Sequence, residues 1–329
     1  MKTHFVTFDL WIWKTRKGFE ATADSKWGGA GPVFFSAPSS ALDLQRFYGA
    51  IRDPDGKGAQ SLGRRLFEFV FQGEVREKYY LCRRLATESR GILRLRLNLQ
   101  DPELWQWPWE LLYDENFLTL SPAISLVRRS SILRWVSGAR LSLCSRAVIV
   151  ASSPRANQDE VNLIERAMRR QWGLTILQNP NLGELQATLA QPVKVLHFLG
   201  RIAFGEDASR RGGNSLAAHE LLGLFERLRS PNLIVFNGQE VGQPTHGCSV
   251  SDLAARIART GAPAVLAMHL PEEYAVNFIQ VFYESLASGK TLERAVWLAR
   301  HRLRTHSQAE LWANPVLYLQ KEWKKGMFF

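Results

Sequence analysis

The sequence predicts an α/β protein built on a mainly parallel sheet. Three short apolar runs carry the prediction: residues 193–201 (VKVLHFLGR), 232–240 (NLIVFNGQE) and 262–268 (APAVLAM). Each is rich in β-branched or large apolar side chains without period-two alternation, the mark of strands buried on both faces. Helical patterns separate them, so neighbouring strands are expected to run parallel under covering helices. In open α/β sheets the reacting groups stand beyond the carboxyl ends of the strands. The residues to watch are therefore Gly200 and Arg201 after the first run, and Asn237, Gly238 and Gln239 after the second.

Taken in order, residues 3–13 read as a strand. Residues 28–32 (GGAGP) read as a turn or loop. They lack the strand, glycine-rich turn and helix of a dinucleotide site, and Gly56-Lys57-Gly58 fails the phosphate-loop spacing, so no cofactor is expected. Residues 61–89 show helical spacing through Leu62, Leu66, Phe69, Val70 and Phe71, broken at Gly73 and resumed at Leu81 and Leu85. Residues 92–99 (ILRLRLNL) alternate strictly, which predicts a strand with one apolar and one wet, basic face. Trp105, Trp107 and Trp109 follow without interleaved basic residues, a pattern of core rather than of a base-stacking platform.

The second half opens with a buried strand at 147–151. A helix over 159–172 takes its apolar spacing from Leu163, Ala167 and Met168, with Asp159 and Glu160 at its N-terminal end. A strand at 174–177 and a short helix at 182–189 precede the first marked run. A polar loop, 205–215, and a helix, 218–229, lead to the second. Beyond Gln239 a loop carries His246 and Cys248, then a helix, 251–259, closes at Gly261. The last helix, 291–305, has an apolar stripe of Leu292, Ala295, Val296, Ala299 and Leu303 and a basic set of Arg294, Arg300, Arg302 and Arg304.

Composition narrows the classes. The 329 residues suffice for one large or two ordinary domains, and 46% hydrophobic with 22% charged residues is ordinary for a globular chain. Cys82, Cys144 and Cys248 are too few and too scattered for a disulfide framework or a zinc site, so no metal is expected. No apolar run spans a membrane, and the N-terminus reads as a strand rather than a signal peptide, so a soluble, cytoplasmic protein without a membrane partner is expected. The net charge of +11 divides evenly, +6 in residues 1–140 and +5 in 141–329. The even spread argues for a generally basic surface. A nucleic-acid partner on the 291–305 helix with Lys321, Lys324 and Lys325 is the second reading.

These segments resemble the CHAT family, bacterial caspase-like cysteine peptidases often joined to TPR arrays. In that family a strand ends in His-x-x-Gly-His-Gly, whose second His is the base. The next marked strand ends in Asn-Ala-Cys, whose Cys is the nucleophile. Here the first reads His197-Phe-Leu-Gly200-Arg201-Ile202 and the second Asn237-Gly238-Gln239. Residues 108–112 (PWELL) with Phe117, Leu118, Val127 and Arg128 resemble the segment that opens CHAT domains. The block 261–268 and residues 312–318 (WANPVLY) resemble its closing part. The resemblance covers roughly residues 60–320. It implies a caspase-like three-layer sandwich with about six mainly parallel strands in residues 141–320, an N-terminal α+β portion in 1–140, and a basic tail in 321–329.

Arg201 stands where the base belongs, and Gln239 where the thiol belongs. A cysteine peptidase needs a thiolate and a group that takes and returns a proton near neutral pH. Glutamine offers no nucleophile, and arginine stays protonated. The resemblance therefore implies a pseudopeptidase with a groove lined by His197, Gly200, Arg201, Asn237, Gly238, Gln239 and Glu240. It also implies a protein partner, such as a peptidase or a TPR-containing protein, in a bacterial defence or signalling assembly. An acidic peptide or carboxylate would suit Arg201 there, unless Glu240 or Glu206 pairs with it. One alternative keeps an active peptidase by moving the nucleophile to Cys248, with His246 or His197 as base. Against it, His197 lies inside a buried strand pattern and reads as a hydrogen-bonded core histidine.

Overall fold

A computed structural model of the chain describes residues 4–36, 57–130, 146–152, 158–168, 172–203, 216–228, 230–241, 250–307 and 310–320. The chain divides into two compact units: residues 1–131 with 296–314, and residues 132–295 with 315–329.

In the first unit, β1 (Phe5–Thr15), β2 (Gly18–Ser25) and β3 (Ala30–Phe35) form an antiparallel meander. The helices α1 (Lys57–Val70) and α2 (Gly73–Glu88) follow, broken between Val70 and Gly73 as the sequence predicts. The strand β4 (Ile92–Leu99) then returns parallel to β1. The short helix α3 (Pro102–Trp105) and the hairpin β5 (Tyr113–Asp114) and β6 (Asn116–Phe117) lead to β7 (Ile124–Ser130), parallel to β4. The sheet order is β3-β2-β1-β4-β7. The buried side chains Phe8, Phe67, Phe71 and Tyr79 make a cluster of ring contacts that seats both helices on one face of this sheet.

Two expectations need correction here. Residues 28–32 are not all loop, because β3 begins at Ala30 and pairs with β2. The basic face of β4 is not wet. Arg94 is buried with its guanidinium 3.7 Å from the centre of the Phe5 ring, Arg96 is a bidentate partner of Asp9, and the buried Asn98 amide reaches Asp9 Oδ1 at 3.2 Å. A parallel strand between two neighbours is covered on both faces, and its polar side chains survive there by pairing.

The tryptophans are core, as their pattern predicts. Trp105, Trp107 and Trp109 are all buried. Around them the two segments that resemble the CHAT opening meet. Arg128 of β7 makes a buried bidentate pair with Glu110 and donates to the carbonyls of Trp105, at 2.5 Å, and Trp107, at 3.0 Å.

The second unit holds β8 (Arg146–Ala151), α4 (Gln158–Met168), β9 (Gly173–Gln178), α5 (Leu182–Leu189), β10 (Val195–Ala203), β11 (Leu216–Ala217), α6 (Ala218–Arg227), β12 (Leu233–Val241), α7 (Val250–Arg259), β13 (Ala264–Met268) and α8 (Glu272–Ala287). The helix α9 (Leu292–His306) and the strand β14 (Val316–Leu319) follow. The order is β14-β13-β12-β10-β8-β9, with β11 paired to the end of β10. Every pairing is parallel except β13 with β14. With β11 this makes seven strands, so the sheet exceeds the six expected, while the α/β class stands. Local signals agree with the elements. Asn181 caps α5 by accepting from the Glu184 N–H at 2.9 Å, and Glu184 returns the bond in a capping box.

The α4 helix turns differently from its sequence reading. Val161, Ile164 and Met168 are its buried apolar residues, and Glu160 is buried with them, whereas Leu163 and Ala167 are only half-buried. The carboxylate at position 160 thus faces the sheet.

Candidate functional site

The strands β10 and β12 lie side by side in parallel register, with Gly200 opposite Gly238, Arg201 opposite Gln239 and Ile202 opposite Glu240. This corrects the placement of the marked residues. They do not follow the strands but sit inside them, from the middle of each strand onward, because the ladder continues to Ala203 and Val241. Positions 201 and 239 are therefore direct neighbours across one ladder. Their side chains and that of Glu240 lie outside the described residues, as do His246, Cys248, Glu206, and Lys321, Lys324 and Lys325 of the tail.

Gly200 is a glycine for two reasons. Its φ is +107°, and a Cβ there would meet Ser152 Oγ at 2.9 Å and the Ser152 backbone at 3.3 Å. Gly200→Ala is expected to lower stability by about 2 kcal/mol, read as a shifted urea midpoint. A change within a few tenths would show that β10 relaxes freely at this point.

Just below positions 201 and 239 the sheet carries a largely buried polar cluster. His197 has 0% exposure, and its Nδ1 lies 2.7 Å from the Tyr283 hydroxyl of α8. Its Nε2 lies 3.3 Å from Glu160 Oε1, an ion-pair distance that misses good hydrogen-bond alignment. The Asn237 amide donates to the same carboxylate, at 2.9 Å to Oε2 and 3.2 Å to Oε1. With the Tyr283 hydroxyl donating to Nδ1, the ring hydrogen belongs on Nε2, on the side of the Glu160 carboxylate, and that carboxylate accepts from the Asn237 amide. The other tautomer would turn a lone pair toward the carboxylate. Burial, and then the charge of Glu160, push the Tyr283 phenol well above its ordinary range, so it remains a donor. The first turn of α4 adds its N-terminal dipole field at Glu160.

The order hydroxyl, imidazole, carboxylate is that of a nucleophilic relay. Here the imidazole and the carboxylate are buried, with exposures of 0% and 2%. The cluster instead ties β10 and β12 to α4 and α8. His197 is the hydrogen-bonded core histidine that its strand pattern suggests. Glu160 and Tyr283 were not among the sequence candidates. On the opposite face, a Cβ at Gly238 would meet Ile202 Cδ1 at 3.1 Å and Val250 Cγ2 of α7 at 3.2 Å, so helices cover both faces. The His269 ring, at the end of β13, bonds through Nδ1 to the Gly238 carbonyl at 2.7 Å and steadies the strand just before position 239.

The second nucleic-acid reading changes at α9. Arg300 is buried rather than part of a solvated basic face, and burial draws its guanidinium down to about 10. Arg304 bonds Glu310 at 3.0 Å. No group of metal-binding side chains occurs among the described residues, and no described helix is long and apolar enough to cross a membrane.

A mainly parallel sheet with helices on both faces, and with β10 and β12 side by side, makes this an α/β domain. The chain belongs to the CHAT family: the CHAT domain matches residues 60–320. Solved structures are also similar to it, two of them proteases. The Arg-specific cysteine proteinase gingipain R (RGPB) shares 9% identity over 82% of this chain and 69% of its own, with a TM-score of 0.47. A second protease shares 11% identity over 87% of this chain and 76% of its own, with a TM-score of 0.48. No curated protein sequence matches the chain.

Proposed function

We propose that this chain is a catalytically inactive CHAT domain that binds protein partners as a scaffold or regulatory subunit, in a bacterial defence or signalling assembly. One observation carries the reading. Arg201 and Gln239 face each other across a single parallel ladder, at the two positions where the family motifs place base and nucleophile. The surrounding frame is kept: His197, the left-handed Gly200 and Asn237 all hold structural roles. Neither replacement supplies the chemistry, since arginine does not give up its proton at neutral pH and a carboxamide does not attack a carbonyl. A peptidase or TPR-containing protein is the partner class that the family suggests.

The test is an electrophilic cysteine-peptidase probe together with a peptide library. The wild type is expected to remain unlabelled and to cleave nothing, and Cys248→Ala to change neither result. Cys82 gives no background because it is buried, and burial pushes its thiol up. Labelling or cleavage that disappears in Cys248→Ala would instead establish a peptidase with a relocated nucleophile.

A further inference from the structure

The outer face of the β1-β2-β3 meander carries an unusual row. Trp13 is the register partner of Glu20, and Glu20 of Phe34, so one carboxylate stands between two aromatic side chains on adjacent strands. The alternation of burial places all three opposite the core, whose row contains the buried Ile12, Phe19 and Phe35. Phe34 is 66% exposed, and Trp11, two residues before Trp13 on the same face, is 40% exposed. Strands lie about 4.8 Å apart, so the aromatic walls stand roughly 10 Å apart with the acid at the base. Among the described residues, the side chains of Trp11, Trp13, Glu20 and Phe34 make no hydrogen bond, ion pair or ring contact. Trp13 and Glu20 are half-buried, and Asp24 adds an exposed acid on β2. A partly exposed aromatic and acidic patch stands out on a chain of net charge +11.

We infer that Trp13, Glu20 and Phe34, with Trp11, form an open cage for a cationic side chain, a lysine or arginine presented by an extended segment of a protein partner. The two rings offer their faces to the cation, and Glu20 supplies the opposite charge. A negatively charged nucleic acid is disfavoured by Glu20 and Asp24. The cage gives a partner chemistry to the binding role proposed above and takes its biological meaning from that reading. The titration that tests it does not depend on the state of positions 201 and 239.

The experiment is isothermal titration of the full chain with a capped Gly-Ser-Lys-Ser-Gly peptide. Its arginine, trimethyllysine and norleucine counterparts, and a thymidine oligonucleotide, serve as comparisons. The three cationic peptides are expected to bind weakly, and the norleucine peptide to show at least tenfold lower affinity. Phe34→Ala and Glu20→Gln should each weaken binding by about three- to tenfold. Both positions are on the solvent face, and an unchanged thermal midpoint would show that each variant keeps the fold. Equal binding of lysine and norleucine peptides would overturn the cage. So would affinity unchanged in both variants, absence of binding by any cationic peptide, or oligonucleotide binding that is lost in Phe34→Ala. Probe labelling of Cys248 in the earlier test would remove the inactive-domain reading and leave the titration result standing.

Discussion

Replacing Glu160 with alanine is expected to destabilise the second unit by about 3 kcal/mol, read as a lower urea midpoint. The carboxylate is buried beside the buried His197 ring and the half-buried Asn237 side chain. It takes two contacts from the Asn237 amide and lies 3.3 Å from His197 Nε2. Its removal takes the acceptor from the Asn237 amide on β12 and leaves the buried His197 Nε2 on β10 facing a void, and a buried polar group left without a partner costs about 1–3 kcal/mol. Glu160→Gln separates charge from shape. The retained carbonyl oxygen still accepts from Asn237, but the new amide sets a donor against the His197 Nε2 proton. The ring must change tautomer, which in turn reverses the Tyr283 bond. A loss of about 1–2 kcal/mol is expected, below that of alanine. If Glu160→Ala falls within about 0.5 kcal/mol of the wild type, the cluster is not what ties the strands to their helices.

Much of this site could be read before the structure, and the unread part has a physical explanation. The buried strands announced themselves as apolar runs, so β8, β10, β12 and β13 fell where the sequence predicts. His197 stood out as a polar residue in such a run. Its partners did not, because Glu160 and Tyr283 lie far from it in sequence and only the folded sheet brings them together. A signal for Glu160 existed nonetheless. It precedes Ile164 by four residues and Met168 by eight, the spacing of a buried helical face, and an acid on such a face needs a partner. The strand ends were misplaced because Gly200 reads as a terminator, whereas its left-handed backbone lets the ladder pass Ser152 and continue. The basic face of β4 was misread for another reason. Alternation reports which side chains differ, and only the fold reports what covers them. Asp9 and Phe5, on the neighbouring strand β1, turn those arginines inward.

In the first unit the largest loss is expected from Glu110→Ala, about 3–5 kcal/mol on denaturation. Arg128 and Glu110 both have exposures of 2%, and the guanidinium is satisfied by the carboxylate together with the Trp105 and Trp107 carbonyls. Arg300 is buried nearby. The charge of Glu110 raises its proton affinity and that of Arg128 lowers it, while desolvation outweighs both and holds it at about 10. Removing the carboxylate therefore leaves two buried cations without the anion between their fields, and the repulsion adds to the lost bonds. The contrast with Glu110→Gln is informative. The carboxamide keeps one acceptor for Arg128, and the Thr119 hydroxyl bond to the Glu110 backbone carbonyl at 2.8 Å is common to both variants. Glutamine thus removes the charge and one of the two acceptors while keeping the side chain's shape. A smaller loss for glutamine than for alanine would assign part of the effect to hydrogen bonding. Equal losses would assign nearly all of it to charge. Added salt should rescue neither variant, because screening acts on exposed charges and barely on a pair at this depth. A loss below about 1 kcal/mol for alanine would show that the tryptophan-rich segment packs independently of the pair that joins it to β7.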